Sequence, residues 1–295
     1  MVAEKTIFLE IFQPFAQYRN PFTFYYAQTF PLPPKSTIIG MLQNAVGDWY
    51  GKSKWYKVEN EKGEELIENR WWDLKISVHG GFESVFWNYQ SLIKGKLAFT
   101  VQGIWVNKPN KIWLPLYNNS LTSQRSPVHQ QELFNGHLYI FIKGEEDLIN
   151  TIKESLKEPR KMLYLGRSED IIFIKKVIVD EEIKLIKSGK VEKDLWLTYP
   201  TYLLDKNFPI KNKKYPVYSI PVKVIFENKG IPIKTKGEIT KTTERKPEFE
   251  PVIYTGYNKV IYIEEGRPLY VEKYELKYSN EELLNFIIPK DYGWL

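Results

Sequence analysis

The chain has 295 residues, a formal net charge of +6 and a pI near 9.0, with no cysteine and three histidines. The absence of cysteine excludes disulfides, thiolate metal sites and cysteine nucleophiles. The histidines lack the paired spacing of a zinc site. No apolar run reaches the roughly 18 residues that cross a bilayer, and charged residues lie at the start, so we expect a cytoplasmic protein that does not contact a membrane.

Positive charge is concentrated in two tracts. The first, residues 84–131, has no acidic residue but contains Lys94, Lys96, Lys108, Lys111 and Arg125. The second, residues 205–246, has eleven Lys or Arg against four Asp or Glu. Both are interleaved with aromatic residues, which suits a phosphate backbone with exposed bases. Ordinary basic loops on a β-rich surface would give the same composition.

The N-terminal part alternates strands with helices. Residues 5–13 have the alternation of a strand that stops at Pro14. A helix is predicted to begin at a capping Ser36 and to end at Gly51, because apolar residues recur between them at helical spacing. Residues 72–78 read as the next strand.

The following elements complete the pattern. Residues 82–106 are strand-like, and their acid-free composition favours a protruding hairpin. Residues 137–142 form a short strand, and residues 145–157 form a helix with an acidic first turn. Strands at residues 163–165 and 171–174 flank a turn. This order is the split βαβ arrangement of ferredoxin-like and RNA-recognition folds.

Beyond Val179 the sequence changes to β segments broken by proline. We therefore predict an α+β fold with two parts: a ferredoxin-like domain of residues 1–180 and a β-rich domain of residues 181–295. No low-complexity linker separates them, so we expect them to pack together.

Most enzyme chemistries lack their motif. There is no P-loop, GxGxxG or GxSxG. The acidic clusters lie at helix starts and in charged turns, so we predict no metal and no cofactor. Metal-free RNA cleavage needs only a general acid and base, and His79 or His129 could supply one. A histidine in either setting is more often a structural or surface residue.

The segment YLGRSED carries a more specific signal. A glycine permits close approach of a ligand to the backbone, and the guanidinium of Arg167 suits bidentate phosphate recognition. A turn in which Arg167 pairs with Glu169 or Asp170 explains the segment equally well.

Three stretches resemble the CRISPR-associated Cas-five family, the RAMP subunit of type I Cascade complexes. They are FPLPPKSTIIGMLQNAVG after the first strand, QRSPVHQQELFNGHLYIFI, and LGRSEDII, which is typical of the type I-B and related branches. Together they cover roughly the first 175 residues.

The resemblance implies a ferredoxin-like palm with a basic β-hairpin thumb at about residues 82–125. It further implies a subunit that grips the 5′ handle of the crRNA and caps the Cas-seven backbone filament. The large subunit of Cascade would be another partner, and target DNA would be reached through the complex. The residues matched to RNA contacts are Lys35, Ser36, Thr37, Lys94, Lys96, Arg125, Gly166, Arg167 and Ser168. Replacing Arg167 is expected to weaken handle binding and leave the fold intact, because the turn is taken to be exposed.

The type I-C branch of this family cuts precursor RNA with a metal-free tyrosine, lysine and histidine set that includes an adjacent Lys-His pair. This sequence contains no Lys-His pair. We therefore expect a subunit without catalytic residues. A metal-free endoribonuclease, in which Tyr26, Lys94 and a distant histidine substitute, is the main alternative, and a general single-strand RNA-binding protein is the third.

Overall fold

The computed structural model describes residues 4–23, 26–48, 51, 55–59, 65–93, 105–107, 113–115, 125–159, 161–179, 183–211, 214–228, 231–233, 243–258, 260–277 and 283–295. The helices within these residues are α1 (Lys35–Val46) and α2 (Glu146–Lys157). The strands are β1 (Glu4–Ala16), β2 (Tyr26–Ala27), β3 (Trp55–Glu59), β4 (Glu65–Asn69), β5 (Lys75–Ile93), β6 (Trp105–Asn107), β7 (Trp113–Pro115), β8 (Arg125–Glu145), β9 (Phe173–Val179), β10 (Ile183–Val191), β11 (Asp194–Trp196), β12 (Tyr202–Leu204), β13 (Val217–Asn228), β14 (Ile231–Pro232), β15 (Glu244–Tyr254), β16 (Val260–Tyr262), β17 (Leu269–Lys277) and β18 (Leu283–Pro289). Among the described residues, neither helix has the length and apolar character needed to cross a membrane.

The largest sheet is built from the N-terminal half. Its strands lie in the order β9, β1, β8, β5, each antiparallel to its neighbour, and the two-residue β2 runs parallel to β8. Along the chain, β1 is followed by α1, then by β5 and β8, and finally by α2 and β9. The predicted α+β class is confirmed.

The two helices cover one face of this sheet. Because side chains alternate along a strand, Ile7, Leu9 and Ile11 of β1 all point to that face. They are buried in one cluster with Ile39 of α1 and Ile149 of α2. At about 25 cal/mol per Å² of apolar surface removed from water, such a core is the main source of folding free energy.

The opposite face is covered in part by the C-terminal strands. Phe8 and Phe141 pack there against Phe286 of β18, with ring centroids 5.6 and 5.0 Å apart. A second connection joins Tyr202 to the N-terminal part, since its hydroxyl donates to the carbonyl of Leu32 at 2.8 Å and accepts from the amide of Leu32 at 3.1 Å. The two parts pack together, as expected, while their division at residue 180 stays a prediction.

The boundaries of α1 differ from those predicted. The helix begins at Lys35 with Pro34 as its N-cap residue, so Ser36 lies inside the first turn and makes no capping hydrogen bond. It ends at Val46, where Gly47 adopts a left-handed φ of 80°. Proline at the cap supplies an extended backbone without a side-chain acceptor, and glycine adopts the left-handed conformation without steric cost.

Other strands differ from the sequence prediction in presence or length. The charged stretch before Trp71 contains the antiparallel pair β3 and β4, for which its polar composition gave no signal. Strand β5 joins the predicted strand at 72–78 to the first part of the strand-like residues 82–106, while β8 extends far beyond the predicted 137–142. The two strands pair from Lys75 opposite Lys143 to Ile93 opposite Arg125. The described part of the predicted thumb therefore consists of the distal half of this long pair and the short antiparallel pair β6 and β7.

Candidate nucleic-acid interface

Four exposed rings meet on the distal half of the β5–β8 pair. We call Tyr26, Trp87, Tyr89 and His129 the hairpin cluster. The ring of Tyr26 lies parallel to that of His129 with centroids 6.1 Å apart, while Trp87 and Tyr89 approach edge-on at 6.2 Å from Tyr26 and 5.6 Å from His129. The tyrosine and tryptophan side chains are 64%, 50% and 61% exposed in chain order. Exposed rings of this kind present faces on which bases can stack.

Strand pairing explains why these residues meet. Tyr89 lies directly opposite His129 in the antiparallel register, and Trp87 lies two residues before Tyr89 on the same face. The short strand β2 pairs in parallel with β8 and sets Tyr26 beside His129 from the other side. Two strands thus hold the imidazole between two tyrosines.

Buried amides fix the backbone under the hairpin cluster. The side chain of Gln17 donates to the carbonyl oxygens of Ala27 at 3.3 Å and Gln131 at 3.1 Å. The Gln131 side chain in turn accepts from the amide of Thr29 at 3.2 Å. These bonds hold the segment that carries Tyr26 against β8, so the cluster is preformed.

The predicted contact turn at residues 166–170 is a compact ion-pair site. The guanidinium of Arg167 donates to the carboxylate of Asp170 at 2.8 Å and to that of Glu132 at 2.7 Å, and it lies 3.4 Å from Glu169. Burial alone lowers the pKa of Arg167, but the hydrogen bonds from Asp170 and Glu132 outweigh it, so the net shift is upward.

The premise that Arg167 stands in an exposed turn is wrong. Its side chain is only 20% exposed, and the carboxylates of Asp170 and Glu132 that it binds are buried. Gly166 and Ser168 do lie at the surface, and the Ser168 hydroxyl donates to Glu169 at 3.1 Å. RNA contact by this turn stays a prediction, but its arginine is engaged within the protein.

Of the three predicted contacts at the start of α1, Lys35 is turned inward. The ammonium of Lys35 donates to the carbonyl of Trp72 at 3.0 Å, and burial lowers the pKa of Lys35 to about 8 despite the attraction of Asp73. Ser36 and Thr37 are half-buried in the first turn of the helix. The Lys35 ammonium therefore does not face solvent as an RNA contact would require.

Three predicted basic contacts cannot be located in the same detail. Lys94 and Lys96 lie outside the described residues. The backbone of Arg125 pairs with Ile93 where the two described arms end, while its side chain lies outside the described part. In the sequence, Lys94 directly follows Ile93, the last residue of β5.

The histidines take separate roles. His79 is buried, its Nε2 lies 2.9 Å from the hydroxyl of Ser77, and burial lowers the pKa of His79 to about 3. It is therefore a neutral core residue with no access to a substrate. His129 is exposed in the hairpin cluster. His137 is exposed elsewhere on β8 and packs against Phe12 at 5.3 Å. Within the described ranges, no three His, Asp or Glu side chains converge as metal ligands would.

Sequence reasoning missed most of the hairpin cluster. It named Tyr26 and His129 but gave no reason for their meeting, and it did not select Trp87 or Tyr89. Alternating aromatic residues in an acid-free strand were the available signal for these two. No local pattern links Tyr26 with His129, because 103 positions separate them.

Comparison with known proteins identifies the family. The sequence model described as CRISPR-associated protein (Cas_Cas5) matches residues 6–261. No curated protein sequence gives a significant match. A chain of a solved CRISPR RNA-guided surveillance complex is 14% identical, with a TM-score of 0.47, 88% of this chain covered and 90% of that one.

Two further solved structures are similar over most of their length. A CRISPR protein from Archaeoglobus fulgidus is 10% identical with a TM-score of 0.38, covering 96% of this chain and 98% of that one. A chain of a type III-B Cmr-beta complex, determined with cognate target RNA and AMPPnP, is 15% identical with a TM-score of 0.37, covering 87% and 86%. All these scores are below 0.5, so the assignment rests on the sequence match. By that match over most of its length, the chain belongs to the CRISPR-associated Cas5 family.

Proposed function

We propose that this protein is a subunit of a CRISPR Cascade complex that binds the 5′ handle of the crRNA, caps the backbone filament and does not cut RNA. The observation that carries the proposal is the hairpin cluster, which presents exposed rings at the base of a tract that has basic residues and no acidic residue. Membership of the Cas5 family supplies the CRISPR context. Handle binding would take place in the cytoplasm, where guide RNA is assembled with its subunits.

The proposal includes a ferredoxin-like N-terminal domain with a hairpin thumb. The sheet order β9, β1, β8, β5 and the chain order of strands and helices support it, because the split βαβ motif has this arrangement. In this domain the distal β5–β8 arms form the base of the thumb.

Binding would combine stacking with phosphate neutralisation. Splayed bases of the handle would stack on Trp87 and Tyr89, each contact contributing about 1 to 3 kcal/mol. Lys94 and Lys96, which follow Ile93 in the sequence, would neutralise adjacent phosphates. Binding should then weaken steeply as salt is raised. In the complex, the proposed partners are the Cas-seven backbone subunit and the large subunit, with target DNA reached through the assembly.

Filter binding of a labelled CRISPR repeat RNA in EDTA tests the proposal. The wild-type protein should retain the repeat RNA in preference to a scrambled RNA of equal length and leave it intact on a gel. Trp87→Ala combined with Tyr89→Ala should weaken retention at least about 30-fold, the lower end of what two stacking contacts give. The matched control is Trp196→Ala, which removes an equally exposed indole from β11. Equal retention by the double variant and the control would refute the proposed contact.

A metal-free endoribonuclease remains the second candidate, because Tyr26 and His129 lie side by side. A phenol and an imidazole can together supply an acid and a base around a ribose 2′-hydroxyl. On this alternative the same EDTA reaction yields a 2′,3′-cyclic phosphate, and His129→Ala abolishes cleavage while RNA retention persists. Intact RNA in the wild-type reaction excludes this candidate for the repeat tested.

A further inference from the structure

We infer that the protein has a second stacking surface for single-stranded RNA, on the open face of its largest sheet. We call its three residues, Phe173, Phe12 and His137, the ring row. They lie on β9, β1 and β8, which are consecutive strands in the sheet. This inference does not depend on handle binding by the hairpin cluster.

Strand register places the rings in one line across the sheet. Phe12 lies opposite Phe173 on one side and opposite His137 on the other. The ring centroids are 6.2 Å apart between Phe12 and Phe173 and 5.3 Å apart between Phe12 and His137. Rings on neighbouring central strands of a four-stranded sheet are the means by which RNA-recognition modules stack two or three successive bases.

The ring row lies on a face that the described residues leave uncovered at this point. Phe8 and Phe141 share that face, but they are buried under Phe286 of the C-terminal sheet. Further along the same strands the cover ends: Phe173 is 52% exposed, and His137 is exposed beside it. Rings on adjacent strands are thus left in contact with water where the cover of the C-terminal strands ends, and contiguous exposed apolar surface of this kind marks a binding site.

Local charge favours a nucleic acid as the occupant. The ammonium of Lys175 lies 5.6 Å from the centre of the Phe12 ring, and Lys175 is exposed at the edge of the row. The strand that carries it, β9, has two lysines and no acidic residue. A cation beside exposed rings matches the alternation of phosphate and base in a single strand. An apolar protein partner would gain nothing from the lysine.

The ring row is separate from the hairpin cluster. His137 and His129 lie on the same strand eight residues apart, which corresponds to about 26 Å at 3.3 Å per residue. They also point to opposite faces, because the alternation of side chains along β8 is interrupted near Asn135, which has a φ of 54°. Leu133 and Leu138, five residues apart on either side of Asn135, both pack in the helix-covered core. His137 shares its face with Phe141 under the C-terminal strands, whereas His129 shares its face with Leu133, which packs in the helix-covered core.

The test is binding of a fluorescein-labelled octauridine RNA in a Trp87→Ala, Tyr89→Ala background, which removes the hairpin rings. This background should keep measurable affinity for the RNA. Adding Phe173→Leu should lower the remaining affinity about 5- to 150-fold, the range of one lost stacking contact. Adding Phe173→Tyr instead should preserve it. Leucine retains apolar surface without a ring face, so this pair separates stacking from simple apolar contact.

Three outcomes would overturn the inference. The background protein could show no residual affinity, or Phe173→Leu could leave residual affinity unchanged. The third is that the Phe173→Leu and Phe173→Tyr variants bind RNA equally well, and that both capture a protein subunit which Phe173→Asp does not. That result would make the face a protein contact. The two proposals can be tested separately. If the Trp87→Ala, Tyr89→Ala variant lost its preference for the repeat RNA but still bound octauridine, the inference about the ring row would be unaffected.

Discussion

The guanidinium of Arg167 forms a two-pronged contact with the buried carboxylate of Asp170, with Nη2 2.8 Å from Oδ1 and Nε 3.1 Å from Oδ2. The same carboxylate accepts the backbone amides of Gln17 at 3.0 Å and Arg167 at 2.8 Å. One acidic side chain therefore ties the turn before β9 to the end of β1. The residues that resembled a ligand-binding turn therefore hold two segments of the fold together.

Arg167→Ala should destabilise the protein by about 3 kcal/mol or more, because it leaves the buried carboxylates of Asp170 and Glu132 without their cation. Urea unfolding followed by circular dichroism would measure the change in the free energy of unfolding. The control is Lys157→Ala, which removes the exposed ion pair with Glu154 and should cost under about 1 kcal/mol. Equal effects of the two substitutions would show that the Arg167 contact does not stabilise the fold.

Gly166→Ala should destabilise the protein for a different reason. Gly166 has a φ of 112°, and an added Cβ would lie 2.8 Å from Oδ2 of Asp170 and 2.9 Å from the carbonyl of Gln17. The cost is expected to exceed about 2 kcal/mol. Gly40→Ala is the matched substitution in the middle of α1, where nothing lies within 4 Å. It should raise the melting temperature, since alanine is favoured over glycine in a helix by about 1 kcal/mol.

Buried His79 should make stability fall as pH falls. Burial lowers its pKa from 6.5 to about 3 in the folded protein, so between these values the unfolded chain binds one more proton than the folded chain. The free energy of unfolding then decreases by about 1.4 kcal/mol per pH unit from this group alone as pH drops below 6.5. His79→Gln keeps a hydrogen-bonding partner for Ser77 but cannot titrate.

The measurement is urea unfolding of both proteins between about pH 8 and pH 4.5. The wild-type protein should lose about 2 to 3 kcal/mol more than His79→Gln over this interval. Parallel pH profiles would mean that the pKa of His79 is not lowered in the folded protein. Because the comparison uses the slope of the unfolding free energy against pH, any pH-independent loss of stability caused by the substitution cancels.

Lys35→Met should leave affinity for the repeat RNA unchanged. The Lys35 ammonium is directed to the carbonyl of Trp72 and not to solvent, so its removal takes no charge from the surface. Filter binding beside the wild-type protein would check this. A salt-dependent loss of affinity would instead establish Lys35 as a phosphate contact, as the family resemblance implied.

Local sequence patterns predicted the elements whose signal is carried by their own residues. The alternation around Ile7, Leu9 and Ile11 identified β1, and the acidic start of α2 located that helix within one residue. The start of α1 was misjudged because Pro34 acts as its cap while the neighbouring Ser36 offers the more familiar capping side chain.

The arrangement of the sites depends on contacts that no local pattern contains. Arg167 was expected to bind phosphate because its turn resembles such sites. Its partner Glu132 lies 35 positions earlier, and only the pairing of β8 in the sheet brings it near. The rings of Phe12, His137 and Phe173 come together for the same reason, since each alone is an unremarkable strand residue.

The shared packing of Phe8, Phe141 and Phe286 has a consequence for protein engineering. Cutting the chain near residue 180 would strip the cover from these rings and expose aromatic surface on both pieces. Chimeras between relatives should therefore exchange the first β-strand and the last one together. An exchange of either end alone is expected to give insoluble protein, even if every RNA contact is retained.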